Sequence, residues 1–428
     1  MPSISSSACK KGNCADGSFD SSNSSSFHKV ASGFNVSYGD GTVDTGDYFT
    51  DVVSLGSIKI QNMTMGLANV ATNGPNDPTL VQGLLGVGNV LLESEASILN
   101  VTVPTIYDRL VSEGYINRAA FSLYLDDLDA NTGSILFGAI DTTKFSGDLV
   151  SLPIQQIEGQ YLRYTVTITS ISIQDDSGTR ALTDPNFEVL ALLDSGTSNQ
   201  QLPDNVMTEL VQGLGALESS GQAVVPCSYQ NANASLVYQF GGANGPKVSV
   251  PFSELVQSLQ GAPTFSNGEP ECLFLVMGGA TLDGTTEEVI LGDSFLRSAY
   301  VVYDIANNEI AIAQAALNAT STSNILVIPS GTGLPGVSST ATLMLPTAAA
   351  SAAATSIPGG PSNPAAPSTG NPGNPTFNLG SVAASGTATA TSQGSASNVR
   401  IPSMAFGLGT WVIVLGVSAG SLAAAFVL

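Results

Sequence analysis

One stretch constrains this chain more than any other: an apolar run that ends abruptly in small polar residues, Ala191-Leu192-Leu193-Asp194-Ser195-Gly196-Thr197-Ser198. Three apolar residues read as a buried strand, and Gly196 lets the backbone turn tightly behind it. The hydroxyls of Ser195 and Thr197 lie within reach of the Asp194 carboxylate. A second apolar run, Val289-Ile290-Leu291-Gly292-Asp293-Ser294-Phe295-Leu296-Arg297, closes on glycine, enters a short helix and leads to another strand, Ala299 to Asp304. A carboxylate at the end of a buried strand is a candidate for acid or base chemistry.

Several alternatives fall away on composition. Lys and Arg total 12 against 34 Asp and Glu, a formal charge of −22, whereas nucleic-acid binding needs a basic footprint. The same acidity keeps a surface soluble and suits a basic or neutral partner or an acidic milieu. The single histidine, His28, lies in a polar connection far from any nucleophile motif, which argues against a Ser-His-Asp hydrolase and most zinc enzymes. No metal or cofactor motif is present. Four cysteines (Cys9, Cys14, Cys227, Cys272) and six sequons (Asn23, Asn35, Asn62, Asn100, Asn233, Asn318) together indicate a secretory route.

The chain divides by composition. Residues 1 to about 316 read as a β-rich body, with helices expected at Thr105–Val111 and at Asp204–Gln212, the latter with Asp204 as N-cap. From about Ala319 to Asn398, Ser, Thr, Ala, Gly and Pro dominate, which predicts a disordered, O-glycosylatable stalk without a packed core. Met404–Leu428 carries no charge and is long enough to cross a bilayer, but it runs to the last residue with no basic flank. With small residues and a short polar spacer before it, this order matches a signal for a glycosylphosphatidylinositol anchor, attached at Gly394, Ser395, Ser397 or Asn398. Met1–Ser7 shows no secretory signal, so the native product is expected to begin upstream, with Met1 an internal methionine.

The Asp194 motif and the Ile290-Leu291-Gly292 run together resemble the two halves of one lobe of the pepsin-like aspartic proteases. Tyr124–Gly138 extends the likeness, which covers nearly all of residues 1–316. The yapsin-type branch of fungi is the most similar, since it combines such a body with a Ser/Thr stalk and an anchored C-terminus. The resemblance implies a mainly β, bilobal fold with an N-terminal lobe at 1–152 and a C-terminal lobe at 153–316. A stalk at 317–400 and a hydrophobic tail at 401–428 follow. It implies a flap at Val36–Gly41, with Tyr38, Gly39 and Asp40 lining the substrate cleft together with Gly196 and Thr197. It also implies Cys9–Cys14 and Cys227–Cys272 bridges, although four cysteines allow three connectivities.

Family members act through two aspartates, one per lobe. Gly83-Leu84-Leu85-Gly86 resembles the first-lobe counterpart of Ile290-Leu291-Gly292. Asp194 precedes Gly292 by 98 positions, and the same count back from Gly86 falls about twelve residues before Met1. The family pattern around the first aspartate places it about eight residues before Met1. Asp44-Thr45-Gly46 imitates the motif, but it follows Tyr38 by six residues with no long apolar strand before it, and is expected to form hairpin turn residues. The first catalytic aspartate is therefore expected upstream of Met1, its loss leaving unpaired strand edges and an inactive chain. The resemblance implies a monomeric aspartic endopeptidase, cofactor-free, acting on polypeptides at the outer face of the plasma membrane or in the cell wall through a lipid anchor. The alternatives are a non-catalytic peptide-binding or wall-structural glycoprotein of the same fold and, less well matched to a chain holding most of both lobes, one lobe of a dimeric protease.

Overall fold

A computed structural model describes residues 2–4, 18–37, 43–71, 83–90, 102–130, 132–219, 222–258, 263–279, 288–343, 372–373, 375–379 and 413–418. The fold is mainly β. In the first half a four-stranded sheet runs in the order Pro2–Ile4, Ile58–Ala71, Val43–Leu55, His28–Ser37. His28 is thus an exposed strand residue opposite Thr50, not part of a connection. Phe49 is buried in this sheet and packs against Phe19 and Phe27, with ring centroids 5.2 and 5.1 Å away.

The second half holds a larger sheet. Its main path is Lys247–Pro251, Ser235–Phe240, Thr165–Asp175, Val189–Leu193, Glu288–Leu291, Gln200–Gln201, Val276–Met277. Val189–Leu193 and Glu288–Leu291 are buried along their whole length, as runs of Val, Ile and Leu require when a strand is covered on both faces. Cys227 and Cys272 are bridged across 45 residues of sequence. Cys9 and Cys14 lie outside the described residues.

A third sheet joins the halves. Phe145–Pro153, Ala120–Tyr124 and Thr132–Phe137 come from the first half, and Glu309–Ala315 and Ala299–Asp304 from the second, interleaved in one sheet. Val337–Thr340 pairs along one edge, and Ile413–Ser418 along the other. Among the described residues no helix is long and apolar enough to cross a membrane.

Both expected helices form. Thr105 caps Ile106–Ser112, and Thr105 and Asp108 complete a reciprocal capping box. The second helix spans Asp204–Leu214, but its N-cap is Pro203 and Asp204 is the first helical residue. Proline in an extended conformation ends the preceding segment one residue earlier than a polar cap would, and the acidic group then faces the helix N-terminus directly.

The packed body does not stop where charge and large apolar residues thin out. Ile325–Val327 pairs with Ala139–Asp141, and Ile328, Leu334 and Ala341 are buried. Arg118, itself buried, forms an ion pair with buried Asp304 at 2.9 Å and donates to the carbonyls of Gly331 and Gly333. The average composition of the extension conceals these few apolar residues, and they suffice to fix residues 325–343 on the body. Burial pushes the Asp304 carboxyl up to about 6, against the opposing pull of Asn307 and Arg118. Arg118→Met is therefore expected to lower stability by about 3–5 kcal/mol, because it strands a buried carboxylate. Urea unfolding at pH 7.5 and pH 5 checks this, with the smaller loss at pH 5, where Asp304 is protonated.

Candidate active site

The site begins with a strand that cannot continue. Val189–Leu193 runs parallel to Glu288–Leu291, pairing Leu193 with Leu291, and the Asp194 N–H donates to the Leu291 carbonyl at 3.0 Å. The chain then turns through Ser195 and Gly196 and returns as Gln200–Gln201, which pairs antiparallel with Leu291 and Ile290. The loop 194–199 thus straddles the end of the Glu288–Leu291 strand, which is threaded between the loop's two arms.

Gly292 sits where the two segments meet. A Cβ there would lie 2.2 Å from the Thr197 carbonyl oxygen and 2.4 Å from that of Asn199. Its φ of −82° is open to any residue, so the need for glycine is one of space. The Asp293 N–H donates to the Thr197 carbonyl at 2.7 Å, and the Ser294 N–H to that of Ser198 at 3.0 Å. These bonds lock the loop from below.

The Asp194 carboxylate is held on both oxygens. Oδ1 accepts from the Gly196 N–H at 2.8 Å, and Oδ2 from the Thr197 hydroxyl at 2.7 Å. Of the two hydroxyls expected near the carboxylate, Thr197 supplies this bond, while Ser195 is buried. The side chain is partly exposed, so an oriented oxygen pair meets solvent. That arrangement can accept a proton from water while keeping its geometry.

Residues with no local sequence signal complete the surroundings. Tyr303 is fully buried, stacks on Phe121 at 4.6 Å between centroids and lies 5.2 Å from Tyr164. Burial and the nearby Asp194 charge raise the Tyr303 phenol well above its usual value. The Tyr164 hydroxyl donates to the Val87 carbonyl at 2.9 Å, and that of Tyr107 to the Gly88 carbonyl at 2.7 Å. This aromatic floor draws on both halves of the chain and ties down the stretch beside Gly86.

Asp293 is the second carboxyl group near Asp194. Burial pushes it up to about 7; Arg297 opposes this and the charge of Asp194 adds to it. A hint existed in the sequence, since Asp293 interrupts an otherwise apolar segment. Arg297 is engaged by Glu254, its Nε donating to Oε2 at 2.7 Å and its Nη2 to the Glu254 carbonyl at 2.8 Å. A carboxyl raised on folding binds its proton more tightly in the folded state than in the unfolded chain. Stability is therefore greatest in acid and falls as pH rises from about 4 to about 7, by up to about 4 kcal/mol from this group. Denaturant unfolding from pH 4 to 8 checks this, and Asp293→Asn is expected to flatten the profile.

The remaining candidates fall as follows. Tyr38, Gly39, Asp40 and Gly41 lie outside the described residues, as do Asn100, Gly394, Ser395, Ser397 and Asn398. Gly196 and Thr197 stand beside the carboxylate as described. Gly83 forms only an isolated bridge, and Leu84–Gly86 are not strand. A Cβ at Gly86 would meet nothing within 4 Å among the described residues, in contrast to Gly292.

Asp44-Thr45-Gly46 lies within the strand Val43–Leu55 and not in a turn. Asp44 pairs with Val36 and Ala71, in a different sheet from Asp194. A register shift falls between Thr45 and Gly46, where a Cβ would lie 1.9 Å from the Leu67 carbonyl oxygen, so this glycine serves a bulge. Asp47 pairs with Lys29 at 2.7 Å, which holds its carboxyl below the usual range. Asn23, Asn35, Asn62, Asn233 and Asn318 are exposed, as a glycan acceptor must be. The Asn233 and Asn318 amides also donate to Asp176 and Asp127.

A carboxylate presented on a threaded loop, on a mainly β body whose halves share a sheet, has the architecture of a bilobal pepsin-like protein. A family model described as eukaryotic aspartyl protease matches residues 2–315. The chain is 37% identical over 318 residues to the probable aspartic-type endopeptidase opsB of Aspergillus fumigatus, covering 74% of this chain and 62% of that protein. It is 34% identical over 397 residues to OPSB of Arthroderma otae, covering 89% and 78%. To aspartic proteinase 3 of Saccharomyces cerevisiae it is 36% identical over 342 residues, covering 76% and 56%. The chain thus spans less than two thirds of the length of the Aspergillus fumigatus and Saccharomyces cerevisiae relatives. It belongs to the eukaryotic aspartyl protease family, with fungal aspartic endopeptidases among its relatives.

Proposed function

We propose that this chain is the larger part of an aspartic-type endopeptidase in which Asp194 supplies one of two catalytic carboxylates. The observation that carries the reading is the Asp194 carboxylate oriented by the Gly196 N–H and the Thr197 hydroxyl, on a loop braced by Gly292. In aspartic proteases two carboxylates share one proton across a water molecule: one takes a proton from the water, and the other polarises the peptide carbonyl. One carboxylate cannot hold both protonation states at once. Asp44 sits in another sheet, and Gly86 lacks the carbonyl contacts that enclose Gly292, among the described residues. These two observations support the reading that residues 1–428 alone are inactive.

The substrates are polypeptides, held under a flap at Tyr38–Asp40 and against Gly196 and Thr197. A formal charge of −22 favours basic segments of substrate. The charge-free run Met404–Leu428, the small residues before it and the exposed sequons support a glycoprotein lipid-anchored at the outer membrane face or in the wall, in which replacement of the tail by the anchor frees the sheet edge that Ile413–Ser418 occupies; the protein is read as a monomer from the family resemblance. The test is an acid-pH assay on peptides of mixed composition, using a form extended upstream through an Asp-Thr-Gly-Ser segment, with release from membranes by a phosphatidylinositol-specific phospholipase. Pepstatin-sensitive cleavage is expected. An extended form that folds and binds peptides without cutting them would instead indicate a non-catalytic peptide-binding glycoprotein.

A further inference from the structure

Phe377 is the only aromatic residue between Tyr303 and Phe406, and residues 346–376 before it are almost all small, polar or proline. It is nonetheless buried, at 4% exposure, as is Leu379 at 5%. The ring lies on the helix Asp204–Leu214 at Gly213, where a Cβ would come within 2.0 Å of it. Glycine is a poor choice in a helix interior. Here its missing side chain makes the space that the ring fills.

The backbone around the ring is held as firmly. The Thr376 and Phe377 N–H groups donate to the Gly213 carbonyl at 2.8 and 3.2 Å, and the Gly373 N–H to that of Gly215 at 2.8 Å. Gly215 is the left-handed helix C-cap, at φ +62°, and a Cβ there would lie 2.3 Å from the Gly373 carbonyl oxygen. The Asn378 N–H donates to Asp175 Oδ2 at 2.8 Å. Arg180, paired with Glu209 at 2.9 Å, lies 5.2 Å from the centre of the Phe377 ring, within cation–π range. Helix end, hairpin and ring thus form one fitted contact.

We propose that the end of the helix Asp204–Leu214 and the hairpin Asp175–Arg180 form a receptor for the chain's own Thr376–Leu379, strapping the extension to the body. With residues 325–343 already fixed on the shared sheet, the extension has a second anchorage. Only residues 380–403 then separate the docked segment from the charge-free tail that starts at Met404. The proposal does not depend on catalytic activity.

Hydrogen exchange of the full chain, read by mass spectrometry on peptides covering residues 372–379, tests it. The Thr376 and Phe377 amides are expected to exchange at least ten-fold more slowly than in the free peptide. Gly213→Ala and Phe377→Ser are each expected to remove that protection and to accelerate chymotryptic cleavage at this segment by at least ten-fold; Phe377→Ser is read by the nearby Leu379. Alanine favours the helix more than glycine does, so Gly213→Ala evicts the ring without weakening the element that binds it. Phe377→Ser leaves the helix sequence untouched and decides the matter if Gly213→Ala alters exchange in residues 204–214. Exchange at the free-peptide rate in the unaltered chain, or protection unchanged in both variants, would overturn the proposal.

Discussion

Asp194→Asn is expected to lower peptide hydrolysis by about 10²–10⁴-fold or more in any form of the protein that cleaves peptides. The amide retains an oxygen that can accept from the Gly196 N–H, and its Nδ2 can donate to the Thr197 hydroxyl oxygen, so the loop keeps its shape. What disappears is one of the two carboxyl groups that share the proton. The variant should therefore fold with nearly unchanged stability and bind peptides while failing to cut them. A second consequence follows from charge. Asp194 helps to raise Asp293, so the neutral amide should bring Asp293 below its value of about 7. The fall in stability with rising pH should then still begin near pH 4, but it should end at lower pH and be smaller. Kinetics with pepstatin as control, and unfolding at several pH values, separate the catalytic effect from the electrostatic one.

Gly292→Ala acts on the same loop by steric means. The added methyl meets two backbone carbonyl oxygens, at 2.2 and 2.4 Å, and neither belongs to a flexible side chain that could swing away. Relief requires the loop to lift from the strand end, breaking the Asp293 N–H to Thr197 and Ser294 N–H to Ser198 bonds. The expected cost is at least about 3 kcal/mol. Chemical denaturation measures it. Gly86→Ala, where a Cβ meets nothing within 4 Å among the described residues, is expected to cost under about 1 kcal/mol. The difference between these two alanines reports directly on which glycine carries a packed loop.

Much of the site was legible because its signals are local. The apolar run ending at Asp194 and the run ending at Gly292 each carry their own turn chemistry, and their pairing follows from two buried parallel strands. Asp293 was visible as a charge inside an apolar segment, but its altered protonation depends on burial that only folding creates. The floor of Phe121, Tyr164 and Tyr303 joins positions far apart in sequence, and no local pattern announces such contacts. The packed points of the extension, residues 325–343 and 376–379, are hard to read in the sequence for a related reason. Its average composition is that of an unpacked stalk, yet stability at its docking points depends on Ile328, Leu334 and Phe377 individually. The Asp-Thr-Gly at Asp44 shows the converse, a motif whose spelling is right and whose place in a hairpin strand is wrong.

The central claim is that Asp194 is one carboxylate of a pair whose other member lies outside residues 1–428. The direct measurement is pepstatin-sensitive peptide cleavage at acid pH, comparing the 428-residue chain with the same chain extended upstream through an Asp-Thr-Gly-Ser segment. Cleavage by the extended form alone, lost on Asp194→Asn, is the predicted result. Cleavage by residues 1–428 alone would contradict it.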